Sequence, residues 1–439
     1  MKIFSHDGFK RYASNTVWLL IEKAIRLFFG LFVSVWLARY LGPEDFGTLN
    51  YAMSFVFLFK AFSTLGLDEV IVKEIVKRTT SLGEVLGTSL LLKSLGSVFI
   101  YYPLLILSCY LFNIEANSFE IILVFSTTVV FQILYIFDLY FQSQVKSKVS
   151  VFIFLISLII SKLLIAFFIY LNLSTIYFAY AMALEFLLGA GGLSIYYFFI
   201  HRNNYHTPFR FSKATAKELL KASWPLMLSG LLISLYMKID QVMLGQMIDK
   251  KSVGEYAAAL KFTEIWYSIP MILTASLFPA IINAKKDKGQ EVYGIRVQRL
   301  MDALVFSSLA FAIFMSLSAN FVIGLLYGEQ YNEATSILKI HIWNGVFVSM
   351  GLVSGKWLVT EGLTTLTLRR SIIGCISNII LNYYLIPIYG GAGAAISTLI
   401  SSSFSSLFAD LTNHRTKEMF IIKLRSIFAY SLWNYHKKR

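Results

Sequence analysis

Charge is what this sequence has least of. Only 15% of its 439 residues are Asp, Glu, Lys or Arg, against 57% hydrophobic. A soluble domain carries roughly 25% charged residues, and a chain this long folded in water needs that polar coat around its core. The shortage excludes a soluble globular protein and points to a bilayer as solvent. Cysteine is nearly absent too. Cys109 and Cys375 both lie inside apolar runs, which excludes a disulfide framework or a thiolate metal cluster. The six histidines are scattered, and only His341 falls in an apolar stretch. Neither H-E-x-x-H nor G-x-x-x-x-G-K-[ST] occurs, so metalloprotease and ATP-cassette chemistry have no motif. No dense acid cluster or long polar loop offers a glycosyltransferase or polymerase site. The expectation is a membrane protein that is not an enzyme and needs no cofactor or metal.

What the chain has instead is apolar length. A spanning helix takes about 20 residues, and apolar stretches bounded by turns or charges fall at 15–40, 45–65, 84–112, 118–142, 149–171, 174–200, 222–248, 253–283, 300–327, 332–359, 366–388 and 390–411. That predicts an all-α protein with twelve transmembrane helices and both termini on one side. Lys2, Lys10 and Arg11 precede the run Asn15–Tyr40. It is too long for a signal h-region and lacks a small-residue cleavage site, so it reads as the first spanning helix.

The formal charge of +14 (39 Lys and Arg, 25 Asp and Glu) is first a matter of topology. Twenty-seven of the 39 cations flank the stretches on one side. Only Arg39, Lys250 and Lys251 flank them on the other. The positive-inside rule then places both termini in the cytoplasm, and the basic excess implies no nucleic-acid partner. Two cytoplasmic segments look interfacial. In Leu67–Arg78, Glu69/Lys73 and Glu74/Arg78 stand at i,i+4 beside Val70, Ile71 and Ile75. Met419–Trp433 reads as a basic amphipathic helix on the anionic inner leaflet.

A weak repeat at an offset of 207 aligns Leu41–Gly47 with Ile248–Gly254. Its halves divide the chain into an N-terminal six-helix bundle (1–200), a basic linker (201–221), a C-terminal six-helix bundle (222–411) and a tail (412–439). Three further segments carry a family likeness. Ala38-Arg-Tyr-Leu-Gly-Pro-Glu-Asp-Phe-Gly-Thr-Leu-Asn-Tyr-Ala52 resembles the first outer loop of the polysaccharide-transporter family, the Wzx-type flippases. Tyr327-Gly-Glu-Gln-Tyr-Asn-Glu-Ala334 resembles the loop before that family's tenth helix, and Asn382–Thr398 its last hairpin. The resemblance implies the V-shaped, two-bundle fold of the multidrug/oligosaccharidyl-lipid/polysaccharide exporter superfamily. It further implies transport of a polyprenyl-diphosphate-linked oligosaccharide, such as an O-antigen or capsule repeat unit, across a bacterial inner membrane. A glycan polymerase and a chain-length regulator are the implied protein partners. In the loop motifs, Gly42-Pro43 reads as a turn, with Gly47 and Gly393 allowing close helix approach.

Nine cations lie inside the stretches: Lys23, Arg26, Lys60, Lys93, Lys162, Lys238, Lys261, Lys339 and Lys356. Each costs at least about 2.5–3.5 kcal/mol at mid-bilayer. Snorkelling accounts for Lys339 and Lys356, and Lys261/Glu264 read as an i,i+3 pair. Lys23 and Arg26 share a face roughly 12–17 Å into the first helix, with Glu22 in reach of Arg26 at i,i+4. A guanidinium grips phosphate oxygens bidentately. With the diphosphate that the resemblance implies, Arg26, Lys23, Lys162, Lys238, Lys60 and Lys93 become candidate diphosphate-binding residues in a cationic cavity. Glu185, Asp240 and Glu22 are candidate coupling groups. Trp266 and Trp343 are candidate glycan contacts, while Trp18, Trp36, Trp224 and Trp357 read as belt residues. Pro270 and Pro279 would kink the eighth helix, and Gly324/Gly328 and Gly351/Gly355 read as helix-packing pairs. The competing readings are a cation-coupled drug exporter of the same superfamily, in which intramembrane acids should dominate, and a lipid II-type flippase, which usually carries two more helices.

Overall fold

Helices follow one another with so little connecting chain that glycine breaks replace loops. The computed structural model describes residues 6–77, 80–200 and 208–427, and no strand occurs among them. The helix His6–Leu58 loses helical geometry at Gly42 (φ 74°, ψ 172°), Lys250–Tyr327 at Gly289 (φ 84°, ψ −179°), and Thr364–Ser406 at Gly390 (φ 55°, ψ −132°). Positive φ at these points is open to glycine at little cost. Two of the breaks are reversals. Asn378 donates to Thr398 at 3.4 Å, whereas an unbroken helix would hold them about 30 Å apart. Arg296 likewise reaches the Ala280 carbonyl at 3.3 Å across Gly289.

All twelve predicted stretches lie in helix. Among the described residues, eight helices are long and apolar enough to cross a membrane, nine if the bent pair Glu329–His341 and Asn344–Thr360 is one span. The reversal at Gly390 accounts for part of the difference, since Thr364–Thr412 counts once but holds the last two predicted stretches.

Two compact units divide the chain. The first comprises Met1–Leu41 and Thr48–Ser234. It contains most of α1 (His6–Leu58), α2 (Lys60–Thr64), α3 (Asp68–Lys77), α4 (Leu82–Leu95), α5 (Tyr102–Leu111), α6 (Ala116–Phe131), α7 (Ile136–Ser143), α8 (Ser147–Tyr170), α9 (Thr175–Ile200) and the start of α10 (Lys213–Met247). Its core packs Val70, Ile71 and Ile75 of α3 with Phe137, Phe141, Leu193 and Tyr197. So α3 is not a helix lying free on the interface; its apolar face is part of the core. Glu74 pairs with Lys77 at 2.7 Å, one residue short of the expected i,i+4 partner. Arg78 lies outside the described residues.

The second unit comprises Gly42–Gly47 and Leu235–Arg439. It holds the rest of α10, then α11 (Lys250–Tyr327), α12 (Asn332–His341), α13 (Asn344–Thr360), α14 (Thr364–Ser406) and α15 (Lys417–Ile427). The repeat-related turns interlock here. A Cβ on Gly47 would sit 1.7 Å from the Lys250 carbonyl oxygen, and one on Gly254 would sit 1.9 Å from that of Pro43. Gly393 is equally tight, 2.2 Å from the Leu385 carbonyl oxygen. The other glycine pairs depart from expectation. Gly324, Gly328 and Gly355 face open space, and only Gly351 meets a neighbour, Ser406 at 2.9 Å.

Two more expectations are corrected in this unit. Trp357 is 6% exposed and belongs to the core with Met350, Val353 and Met419, so it is no belt residue; Trp36 and Trp224 are exposed. The tail helix α15 is docked, not free on the leaflet. Met419, Ile422, Lys423 and Ser426 are buried. The reason is a counter-ion in α14's continuation: Lys423 reaches the Asp410 carboxylate at 2.7 Å and donates to the Ser406 carbonyl, and Arg370 binds the same carboxylate. Gln298 adds bonds to the Ile422 carbonyl (3.0 Å) and the Ser426 hydroxyl (2.9 Å). Residues 428–433 of the predicted amphipathic segment lie outside the described residues.

Candidate functional site

The first unit holds an open cavity of about 660 Å³, and α1 contributes Glu22 and Arg26 to its wall. Both flanks of the helix are pinned. Asn15 accepts from the Ser147 backbone N–H at 2.8 Å and donates to that residue's hydroxyl at 3.2 Å. Near the other end, the Tyr40 hydroxyl donates to the Leu173 carbonyl at 3.0 Å. Arg26 lies between these anchors, so its guanidinium is aimed by helix geometry, not by loop chance. Nη1 donates to Glu185 Oε1 at 2.7 Å. Nη2 and Nε share Glu22 Oε1 at 3.0 and 3.2 Å. The second oxygen of Glu185 accepts from Lys162 Nζ at 3.1 Å. One carboxylate thus bridges two of the predicted cations.

Lys60 and Lys93 line the same cavity. Lys93 is almost wholly buried and pairs with Asp68 at 2.5 Å, while Lys60 Nζ lies 4.8 Å from the centre of the Phe57 ring. Lys23, next to Glu22 on α1, is half-buried and does not line the cavity. The balance of charge differs from expectation. Arg26, Lys60 and Lys93 share the wall with five carboxylates: Glu22, Asp68, Glu69, Asp138 and Glu185. Asp138 in turn accepts from Gln142 at 2.8 Å, and Gln132, Tyr135, Phe154 and Phe186 complete the wall. Asp68 and Glu69 come from the segment that reads as interfacial, and Asp138 from the end of an apolar stretch, so none of the three is a candidate site residue in the sequence. A buried cation in low dielectric needs a counter-ion, and these segments supply it.

Lys238 belongs to the second unit and is not part of this cluster. It lies 3.9 Å from Glu264 Oε1, with Lys261 3.7 Å from Oε2. The predicted Lys261/Glu264 pair is present, but it is half of a triad. Trp266 stacks on Phe311 (centroids 4.1 Å, planes 8° apart) and donates to the Ser308 hydroxyl at 3.2 Å. Trp343 donates to Ser316 at 3.1 Å. Phe311 therefore covers one face of the Trp266 ring.

Asp240 is the most telling carboxylate of the second unit. It is 5% exposed, and the donors the structure gives it are neutral. Tyr256 donates at 2.7 Å, Asn382 Nδ2 at 2.6 Å, and Thr398 donates to the same oxygen as Tyr256. Asn382 also donates to Asn378 Oδ1 at 3.3 Å, which leaves its own Oδ1 buried without a partner. The sequence singled out Asp240 but not this ring. Asn378 and Asn382 at i,i+4, with Thr398 across the Gly390 reversal, were the available signal. Both Asp240 oxygens thus accept from neutral donors, two hydroxyls and an amide N–H. No His, Cys, Asp or Glu group with metal-site spacing exists among the described residues.

Comparison with known proteins places these features. Residues 12–285 match the family described as "Polysaccharide biosynthesis protein", and residues 225–384 match the MatE family. The probable flippase AglR of Haloferax volcanii is 29% identical over 188 residues, 40% of this chain and 37% of its own length. The capsular polysaccharide biosynthesis protein CapF of Staphylococcus aureus is 23% identical over 249 residues, 56% of this chain and 61% of its own. The matched regions thus span less than two thirds of these relatives' own length. The fold is similar to that of a solved structure titled lipid II flippase MurJ, inward closed conformation (TM-score 0.73, 15% identity, 94% of this chain and 91% of that one). An inward-facing MATE family transporter is also similar (TM-score 0.70, 17% identity, 95% and 99%). A family match over more than half the chain, with the apolar helices and the shared fold, establishes this as a multi-pass membrane protein of the polysaccharide biosynthesis protein family.

Proposed function

We propose that the chain is a flippase of polysaccharide biosynthesis, moving a polyprenyl-diphosphate-linked oligosaccharide from the cytoplasmic to the outer leaflet by alternating access. Twelve crossings with both termini cytoplasmic, in a bacterial inner membrane, belong to this reading. The observation that carries it is Arg26, lining a cavity with Lys60 and Lys93 on the same wall. A forked guanidinium beside two ammonium groups matches the oxygens of a diphosphate. The names of the relatives, flippases and a capsular polysaccharide biosynthesis protein, support the substrate class. Each charge crossing the full potential is worth about 2.3 kcal/mol per 100 mV, so outward movement of a diphosphate is downhill in a cell whose interior is negative. Asp240 is the proposed ion-coupling position, its single carboxylate taking a proton or a monovalent cation.

A cation-coupled exporter is the second reading, favoured by the MatE match and by the Asp240 ring. Binding separates the two. A short-chain prenyl-diphosphate sugar should bind the purified wild type and lose at least about tenfold in affinity in Arg26→Ala, since charge-assisted hydrogen bonds contribute about 1.5–3 kcal/mol each. Failure of the wild type to bind it, with organic cations bound instead, would favour the exporter.

A further inference from the structure

The loop motif Tyr327–Ala334 has no part in the cavity of the first unit. Here the chain leaves the apolar helix Gly289–Tyr327 and enters α12, turning at Gly328 with φ 85°, where a side chain would be strained. Gly328, Glu329 and Asn332 of the motif line a second cavity, of about 420 Å³, within the second unit. Small-molecule sites fall in the range of roughly 300–1,000 Å³. The wall carries one charge of each sign. Lys339 and Glu329 are both exposed, and among the described residues neither forms an ion pair. Asn320, Asn332, Thr335 and Ser336 add amides and hydroxyls. The wall is also held in place. Trp343 donates to the Ser316 hydroxyl at 3.1 Å, and that hydroxyl donates to the Lys339 carbonyl at 3.4 Å, which ties the end of α12 to α11.

An apolar row leads into this cavity. Phe314, Leu317 and Phe321 of α11 share a face at i, i+3 and i+7 and are 62%, 83% and 70% exposed. Large apolar side chains left bare along a spanning helix face lipid. Asn320 and Gly324 follow Leu317 at i+3 and i+7, so the row ends at the cavity wall. A Cβ on Gly324 would meet nothing within 4 Å, which keeps the junction open. The shape therefore suits a molecule that is apolar along α11 and doubly charged, with opposite signs, at its end. Among the described residues no aromatic ring lines the cavity, and Tyr327 and Tyr331 beside it are fully buried, so a sugar finds no ring face to stack on.

We propose that this cavity binds the headgroup of a phosphatidylethanolamine lipid, with its phosphate on Lys339, its primary ammonium on Glu329 and an acyl chain along Phe314, Leu317 and Phe321. The two opposite charges set the selectivity. Phosphatidylglycerol has no cation for Glu329 and brings a net negative charge beside it. Phosphatidylcholine has a cation, but one without an N–H for the carboxylate to accept. On the topology proposed above the site belongs to the outer leaflet. It is separate from the diphosphate reading and stands without it.

The test is native mass spectrometry of the delipidated full chain, titrated with phosphatidylethanolamine, phosphatidylglycerol and phosphatidylcholine of identical acyl chains. One phosphatidylethanolamine should bind at least about tenfold tighter than either other lipid, because it alone makes charge-assisted hydrogen bonds at both ends of the headgroup. Glu329→Gln should remove most of that preference, whereas Lys339→Gln should weaken phosphatidylethanolamine and phosphatidylglycerol alike. Glycerophosphoethanolamine, which lacks the acyl chains, should compete at least about tenfold more weakly than the lipid. Wild-type protein that holds the three lipids equally, or prefers another of them, would overturn the proposal whether or not the variants fold. Undiminished preference in a monodisperse Glu329→Gln would overturn it as well. Equal competition by glycerophosphoethanolamine, or displacement of the lipid by a neutral oligosaccharide, would make this a site for a soluble ligand or a glycan and not for a lipid.

Discussion

Replacing Asp410 should cost the second unit more than any single substitution on its surface. Its side chain is fully buried and holds two cations, Lys423 at 0% and Arg370 at 11% side-chain exposure. Asp410→Asn keeps the shape but leaves two buried positive charges against a neutral amide. Breaking a buried pair from one side costs about 3–5 kcal/mol. For a unit of this size each kcal/mol moves the midpoint by about 2–4 °C, so a fall of roughly 6–20 °C is expected in detergent. Protease protection of α15 should fall first, since Lys423 is its only buried charge. Lys423→Met in the Asp410→Asn background removes one of the stranded cations and should recover part of the loss. Partial recovery is the sign of coupling through charge and not of a general packing defect. A midpoint within a degree of wild type for Asp410→Asn would mean that the buried cations need no counter-ion, and the electrostatic explanation of the docked tail would fall.

Other consequences come from the same structure. Arg26→Lys should keep the charge but lose the fork that meets Glu22 and Glu185, so lipid-diphosphate transport should fall roughly tenfold or more, read as initial rate in proteoliposomes. Gly254→Ala places a methyl group 1.9 Å from the Pro43 carbonyl oxygen. Overpacking costs about 1–3 kcal/mol, and here the obstacle is backbone, so monodisperse yield in size-exclusion chromatography should drop, whereas Gly324→Ala, which meets nothing within 4 Å, should leave it unchanged. Asp240→Asn should abolish any dependence of transport on a proton or sodium gradient while leaving sugar-diphosphate binding by the first unit intact; a gradient dependence that survives would show that the coupling group lies elsewhere.

How much of this was legible in the sequence depended on range. The helices were legible because apolar runs and glycine punctuation are local, and Gly42, Gly289 and Gly390 fall where the runs end. Arg26 and Glu22 were legible because i,i+4 contact is set by helix pitch. Glu185 is legible as a candidate coupling group, but its bridge between Arg26 and Lys162 depends on residues far apart in the chain. Asp68 belongs to the segment that reads as interfacial and Asp138 to the end of an apolar stretch, and only the fold brings both to the cavity wall. The docked tail was missed for a related reason. Lys423 looks like a surface charge until Asp410, thirteen residues earlier, is seen to be buried beneath it. The neutral ring around Asp240 was missed because a search for charge does not see Asn, Thr and Tyr.

Flipping itself is read most simply with purified protein in liposomes, a fluorescent polyprenyl-diphosphate oligosaccharide in the inner leaflet and a membrane-impermeant reagent outside. Wild-type protein should expose the glycan to the reagent, faster under an inside-negative potential, and Arg26→Ala should abolish most of that exposure. Wild-type protein that leaves the glycan protected, with or without a potential, would contradict the flippase assignment.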